Sequence, residues 1–234
     1  MSESNEIMVN ILYEDKDIIV VEKPYGVSAQ TERGSSQDMV SILMNYLREK
    51  GEAAPYVGVV HRLDKNVAGV MVYGKNKAAA GKLSSDISNN LMKKKYYAVC
   101  CDSGKLPLEG IMEDRLIKCG RENKSRLAEK NEPGGKWAKL KYTVVARECL
   151  NNINMLLADV RLITGRHHQI RVQFASRGCP LIGDRKYNTC REAWEYINHV
   201  ALYCYGLSFN HPASGRHMEF KNMPGETIFK LSPK

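Results

Sequence analysis

The chain has 234 residues, 43% of them hydrophobic and 26% charged, a balance that allows a sizeable core and excludes a disordered or fibrous polypeptide. Lys and Arg outnumber Asp and Glu by 35 to 26, a formal charge of +9 that suits a polyanionic partner such as nucleic acid. No apolar run approaches the roughly 18 to 20 residues of a membrane span, the start MSESNEIMVN lacks the pattern of a secretory leader, and the seven cysteines contain no C-x-x-C pair. A cytoplasmic protein with reduced thiols is therefore expected, without membrane association.

Residues 1–8 are expected to be a flexible tail ahead of one domain that takes up the rest of the chain. A hairpin opens it: in NILYEDKDIIVVEKP a charged turn at Glu14 to Asp17 separates two apolar runs, and Pro24 ends the second. In SSQDMVSILMNYLREKG, Met39, Ile42, Leu43, Tyr46 and Leu47 recur at helical spacing, with Ser35 and Asp38 as capping residues and Gly51 as a stop. A strand over Gly69 to Tyr73 follows, then a helix from about Asn76 with Ala79, Leu83 and Ile87 on one stripe.

From KKKYYAVC onward the pattern turns to strands. KLKYTVVA alternates, and in NMLLADVRL the residues Leu156, Ala158, Val160 and Leu162 share one face. The charged, Gly- and Pro-containing stretch from Asp102 to Trp137 reads as an insertion or loop with short strands. A short helix covers HHQIRVQFASRG, ending at Gly178, and LSFNHPASGRHMEF reads as two strands around a Pro-Ala-Ser-Gly turn. Antiparallel strands outweigh regular βαβ alternation, so the expected class is α+β with a mixed, largely antiparallel sheet and flanking helices.

Three stretches carry chemistry: HRLD at 61–64, KKYYA at 94–98, and LITGRHHQIRVQFASRGCPLIGDRKY at 162–187. In GVVHRLDKNVAGV a carboxylate, Asp64, sits between two cations inside an apolar run. That placement fits either a strand-end salt bridge or a catalytic acid in a water-poor pocket. Together with VVEKPYGVSAQ near the start and HVALYCYGLSFNHPASGR near the end, these stretches resemble the motifs of RluA-type pseudouridine synthases, which isomerise uridine in ribosomal or transfer RNA. The resemblance runs from roughly residue 9 to residue 229. It implies the pseudouridine synthase fold, an isomerase activity, an RNA partner and no cofactor or metal, since the reaction involves no redox change or donated group.

Residue by residue, the resemblance makes Asp64 the catalytic carboxylate, Arg171 the arginine that pairs with it and Tyr96 the aromatic that packs on the uracil. A guanidinium suits the second role because it stays charged and grips a carboxylate bidentately. Arg62 is expected to enter the RNA where the flipped base had been, and to point elsewhere than its immediate neighbours if it lies on a strand. His61, Lys94, Arg166 and His168 are expected RNA contacts, and Leu162 or Ile163 the apolar wall beside the base. Tyr97, on the opposite face from Tyr96, is expected to be the core tyrosine of the pair.

The chain departs from the family pattern twice. Val67-Ala68-Gly69 stands where Thr-Ser-Gly is usual, and His167 where GRTHQIR has Thr. The rival reading is a catalytically weak or inactive RNA-binding or RNA-chaperone member of the same fold. A hydrolase reading would need a second carboxylic acid, for which Asp184 in GDRKY is the tempting candidate. No S4-type domain fits before Tyr13, so a stand-alone catalytic domain, acting as a monomer, is expected.

Overall fold

The structure, a computed structural model, describes residues 9–30, 37–120 and 122–231. The expected tail over residues 1–8 and the cap at Ser35 lie outside the described residues. The chain divides into two compact units. The first runs to Met92 and takes back Gly206–Asn222; the second covers Lys93–Tyr205 and the stretch from Met223 on.

In the first unit, β1 (Asn10–Glu14) and β2 (Ile18–Lys23) form the expected hairpin, and β2 pairs antiparallel with β4 (Ala68–Gly74). The two-residue β3 (Gly58–Val59) also pairs with β4. Both β2 and β4 are near-continuous apolar runs because both of their faces are covered. Ile18, Val20, Val70 and Val72 meet Leu83 and Phe209 on one side. Ile19, Val21, Met71 and Tyr73, on the other side of the pleat, are equally inaccessible.

Helix α1 (Met39–Glu49) buries Met39, Leu43 and Leu47, a stripe one turn apart, and Asp38 caps it by accepting from the Ser41 amide at 3.0 Å. The carboxylate of Glu14 at the end of β1 ties this helix down by accepting from Tyr46, Lys50 and Lys75. Partial burial opposes its ionisation, but those donors prevail and pull its pKa down to about 2. Helix α2 (Lys77–Ser88) starts at the Asn76 cap, as its pattern predicts.

The second unit is an antiparallel sheet in the order β5-β9-β8-β6-β7, formed by β5 (Lys93–Cys101), β6 (Glu109–Cys119), β7 (Lys124–Leu127), β8 (Lys136–Leu150) and β9 (Ile153–Leu162). The eleven-residue β6 corrects the reading of 102–137 as an insertion or loop with only short strands. Its alternation is thin in sequence, because Met112 and Leu116 are its buried apolar residues and charges fill much of the rest. Helix α3 (Gln169–Ala175) is shorter than its pattern suggests and buries every residue from Gln169 to Phe174. Phe174 packs edge-on against Tyr142 at 5.7 Å, and Val172 joins Leu116 and Ala138. A four-residue helix, α4 (Glu192–Glu195), precedes β10 (Leu202–Asn210).

Strand β10 begins in the second unit and ends in the first, where it forms a hairpin with β11 (His217–Lys221). His211 at the turn donates through Nε2 to Asp15 at 2.8 Å, while its Nδ1 accepts from the amides of Ala213 and Ser214. The imidazole thereby joins this turn to the β1–β2 turn. The expected α+β class holds.

Gly183 anchors the turn that carries Asp184. Its φ of +72° lies in the left-handed region, and a Cβ there would overlap the His199 carbonyl oxygen. Gly183→Ala is expected to lower stability by about 2–4 kcal/mol, read as a lower denaturation midpoint in urea; an unchanged midpoint would contradict this packing.

Candidate active site

Asp64 lies in the loop of residues 60–67 between β3 and β4, not on a strand. Two neighbours pin that loop into the first unit. Leu63 is buried, and so is His61, whose Nε2 accepts the Val72 amide of β4 at 3.2 Å. Arg62 and Lys65, on either side of Leu63 and Asp64, are exposed, Asp64 is half-buried, and the Val67 amide closes the turn onto the Asp64 carbonyl at 3.0 Å. The opposed directions of His61 and Arg62 thus arise in a loop rather than from strand alternation. His61 as an RNA contact is corrected: its ring is buried and its Nε2 is taken by the backbone of β4.

A residue to which sequence reasoning gave no role completes this loop. Lys23, at the end of β2, has no solvent exposure, and its ammonium donates to the carbonyls of Pro24 and Val27 at 2.7 Å each and of Lys65 at 3.2 Å. It staples the turn after β2 to the loop that carries Asp64. Burial pulls its pKa down to about 7, with the charge of nearby Asp64 pushing the other way. Gly69 lies opposite it in the ladder at a φ of +124°. The signal in sequence was a lysine closing the apolar run IIVVEKP, where a solvated cation has no place.

In the second unit Tyr96 is buried on β5 opposite Val160, on the face that also carries Lys94 and, opposite Lys94, Leu162. Lys94 is half-buried, and dehydration lowers its pKa. Tyr97 is only half-buried and stacks on Tyr205 at 4.4 Å, so the expected division between the two tyrosines is reversed. Leu162 shares the Tyr96 face, whereas Ile163, one residue past β9, is 40% exposed. Of the two wall candidates, alternation sends Leu162 to that face and Ile163 to the other.

Arg171 on α3 is buried and held by a bidentate fork: Nε and Nη2 donate to the two carboxylate oxygens of Asp184 at 2.7 Å each. Asp184 is fully buried. With both carboxylate oxygens taken by the guanidinium and no solvent exposure, Asp184 is committed to a structural fork, which argues against it as the acid of the hydrolase reading. The Tyr187 ring lies 5.2 Å from the Arg171 guanidinium carbon. Its hydroxyl meets His168 Nδ1 at 2.8 Å and the Ser125 amide at 2.6 Å.

His168 stands just before α3 at a φ of 53°, stacked on His167. Burial and the adjacent Arg171 charge pull its pKa down to about 2. A neutral, buried imidazole offers phosphate no cation, so His168 as an RNA contact is corrected to a brace between Tyr187 and α3. His167, which replaces the usual Thr, meets Ser125 Oγ at 2.9 Å through Nδ1 and Asn123 at 3.1 Å through Nε2, tying α3 to β7. Arg166 is exposed, with its Nε on the Trp137 carbonyl at 2.8 Å.

The ordered motifs on this fold match one class of enzyme, the pseudouridine synthases. The chain belongs to the RNA pseudouridylate synthase family, whose model matches residues 17–176, and it is an RNA pseudouridine synthase, an isomerase that acts on RNA. It is 34% identical over 231 residues to an uncharacterized RNA pseudouridine synthase of Aquifex aeolicus, covering 95% of this chain and 71% of that protein. To ribosomal large subunit pseudouridine synthase D of Haemophilus influenzae it is 32% identical over 229 residues, covering 93% and 68%. The solved structure of human RNA pseudouridylate synthase domain containing 1 shares the fold, with a TM-score of 0.79, 18% identity, and coverage of 96% of this chain and 86% of that one. Among the described residues no helix is long and apolar enough to cross a membrane.

Two buried ions yield tests. Between about pH 7 and the ordinary lysine value of 10.5 the unfolded chain binds a proton that folded Lys23 sheds, so stability rises with pH across that window. In urea titrations the wild type is expected to gain on Lys23→Met by up to about 1.4 kcal/mol per pH unit there; a pH-independent difference would show that Lys23 stays charged. Asp184→Asn, which leaves the buried guanidinium half-paired, is expected to cost about 3–5 kcal/mol by the same assay.

Proposed function

We propose that this enzyme converts uridine in ribosomal RNA to pseudouridine with Asp64 as its catalytic carboxylate. Both units serve as one catalytic domain. The observation that carries the reading is the Asp64 loop: His61, Leu63 and the Lys23 staple fix the backbone on either side of a half-buried carboxylate, as a positioned catalytic group requires. The chain's similarity to ribosomal large subunit pseudouridine synthases favours ribosomal over transfer RNA.

The reaction breaks the C1′–N1 bond of uridine, turns the uracil and joins C5 to C1′. The C5 proton leaves and N1 gains one, so the product is an isomer. Asp64 acts at the sugar, by attack on C1′ or by helping remove a sugar proton, and stabilises the positive charge that develops at C1′. Arg171 is the arginine that the family pattern assigns to the reaction; its fork to Asp184 supports the role by fixing the guanidinium plane. Tyr96 packs on the uracil with Leu162 beside it, a stacking contact of about 1–3 kcal/mol that offsets part of the cost of extracting the base. Arg62, exposed beside Asp64, takes the vacated place in the RNA, and Lys94 and Arg166 meet phosphates.

The test uses RNA tritiated at C5 of uridine, as separate ribosomal and transfer pools. Wild-type protein is expected to release tritium to water from ribosomal RNA, and Asp64→Asn to release about 10³-fold less or worse while still binding RNA. If neither protein releases tritium from either pool yet both bind, the catalytic assignment fails and an RNA chaperone is the better account.

A further inference from the structure

We propose that the outward face of β5, β9 and β8, the reverse of the face that carries Tyr96, is a second RNA-contact surface that grips phosphates. The register puts Lys95 opposite Arg161, and Arg161 opposite Lys141. Three cations thus stand in one row on adjacent strands, about 5 Å apart from strand to strand. Tyr96, Val160 and Tyr142 form the next row and face the other way.

Such a row costs stability, because like charges directly opposite each other repel. Lys95 is half-buried, and the other two cations of the row are open to solvent. Arg161 and Lys141 are exposed and, among the described residues, make no ion pair or side-chain hydrogen bond. Three acids share the face: Glu113 pairs with Lys139 at 3.4 Å, Asp159 accepts from the Tyr205 hydroxyl at 3.1 Å, and Glu109 stands exposed at the end of β6 opposite Thr143. Across from Lys141 stands Ile111, 54% exposed.

Apolar side chains border the row on its other flank. The Ile163 amide bonds to the Lys139 carbonyl, and Ile163 is 40% exposed. Trp137, at the start of β8, is 50% exposed. Evenly spaced cations beside an exposed indole suit a polynucleotide, whose phosphates repeat along its backbone and whose bases stack on aromatic faces. This inference rests on RNA being the substrate. It adds a sequence-independent contact that lies on the opposite side of the strands from the base-binding residues.

The test measures filter binding of radiolabelled, protein-free ribosomal RNA across a range of salt. It compares the wild type, Lys95→Gln/Arg161→Gln/Lys141→Gln, and the charge-matched control Lys16→Gln/Lys77→Gln/Lys130→Gln. The reverse-face triple is expected to flatten the slope of log K against log [salt] by about 2 to 3 and to weaken binding by at least about tenfold near 0.1 M salt. The control should shift the slope by far less. Thermal melting of the reverse-face triple should be no lower than wild type, because a repulsion has been removed. Equal slopes for the two triples would overturn the proposal. So would an unchanged RNA slope with loss of self-association by sedimentation, which would make the face a protein contact. Flattened binding by a protein that releases no tritium would sink the Asp64 assignment and leave this surface standing.

Discussion

The pleat of three antiparallel strands governs what the second unit can present. Side chains on β5, β9 and β8 must alternate, and the ladder that joins Lys95 to Arg161 and Lys141 also joins Tyr96 to Val160 and Tyr142. A slip of one residue would exchange the two sets and drive three cations against α3. The apolar set, sealed by Phe174 and Val172, therefore holds the register and obliges the charges to face out. The position of Tyr96 and the cationic reverse face have one cause.

Two buried cations sit in the two units, and each is satisfied by a different means. Arg171 keeps its charge at any accessible pH and meets a full counter-charge in Asp184, with both oxygens engaged. Lys23 meets three carbonyl dipoles, which stabilise an ammonium less well than a carboxylate would, and burial draws its pKa down to about 7. The arginine is a rigid post. The lysine ties two loops together with a charge it can lose. In both places a buried ion fixes irregular backbone where apolar packing alone could not satisfy the peptide groups.

Histidine is where reading from sequence went astray. His61 and His168 stand in motifs rich in cations, which suggested phosphate contacts. Their partners are Val72 on β4 and Tyr187 beyond α3, eleven and nineteen residues away. Whether an imidazole is a surface cation or a neutral brace depends on such partners, and a linear motif names none of them. The same limit hid Lys23, whose carbonyl acceptors include one 42 residues on. The tyrosine pair failed for another reason. Alternation correctly sent Tyr96 and Tyr97 to opposite faces, but which face is covered depends on what packs there.

Local pattern was enough for much of the fold: the β1–β2 hairpin, α1 with its Asp38 cap, α2 with its Asn76 cap and the β10–β11 turn follow from apolar periodicity and capping chemistry, which act within a few residues. The ordered motifs were likewise enough to place the chain among pseudouridine synthases. Tertiary structure alone decided that β6 is a full strand, that Asp184 is the fork for Arg171, that Lys23 staples the Asp64 loop and that three cations line up across β5, β9 and β8. Each of these depends on register or burial between residues far apart in the chain. Those are properties of the folded ladder, which no single segment carries.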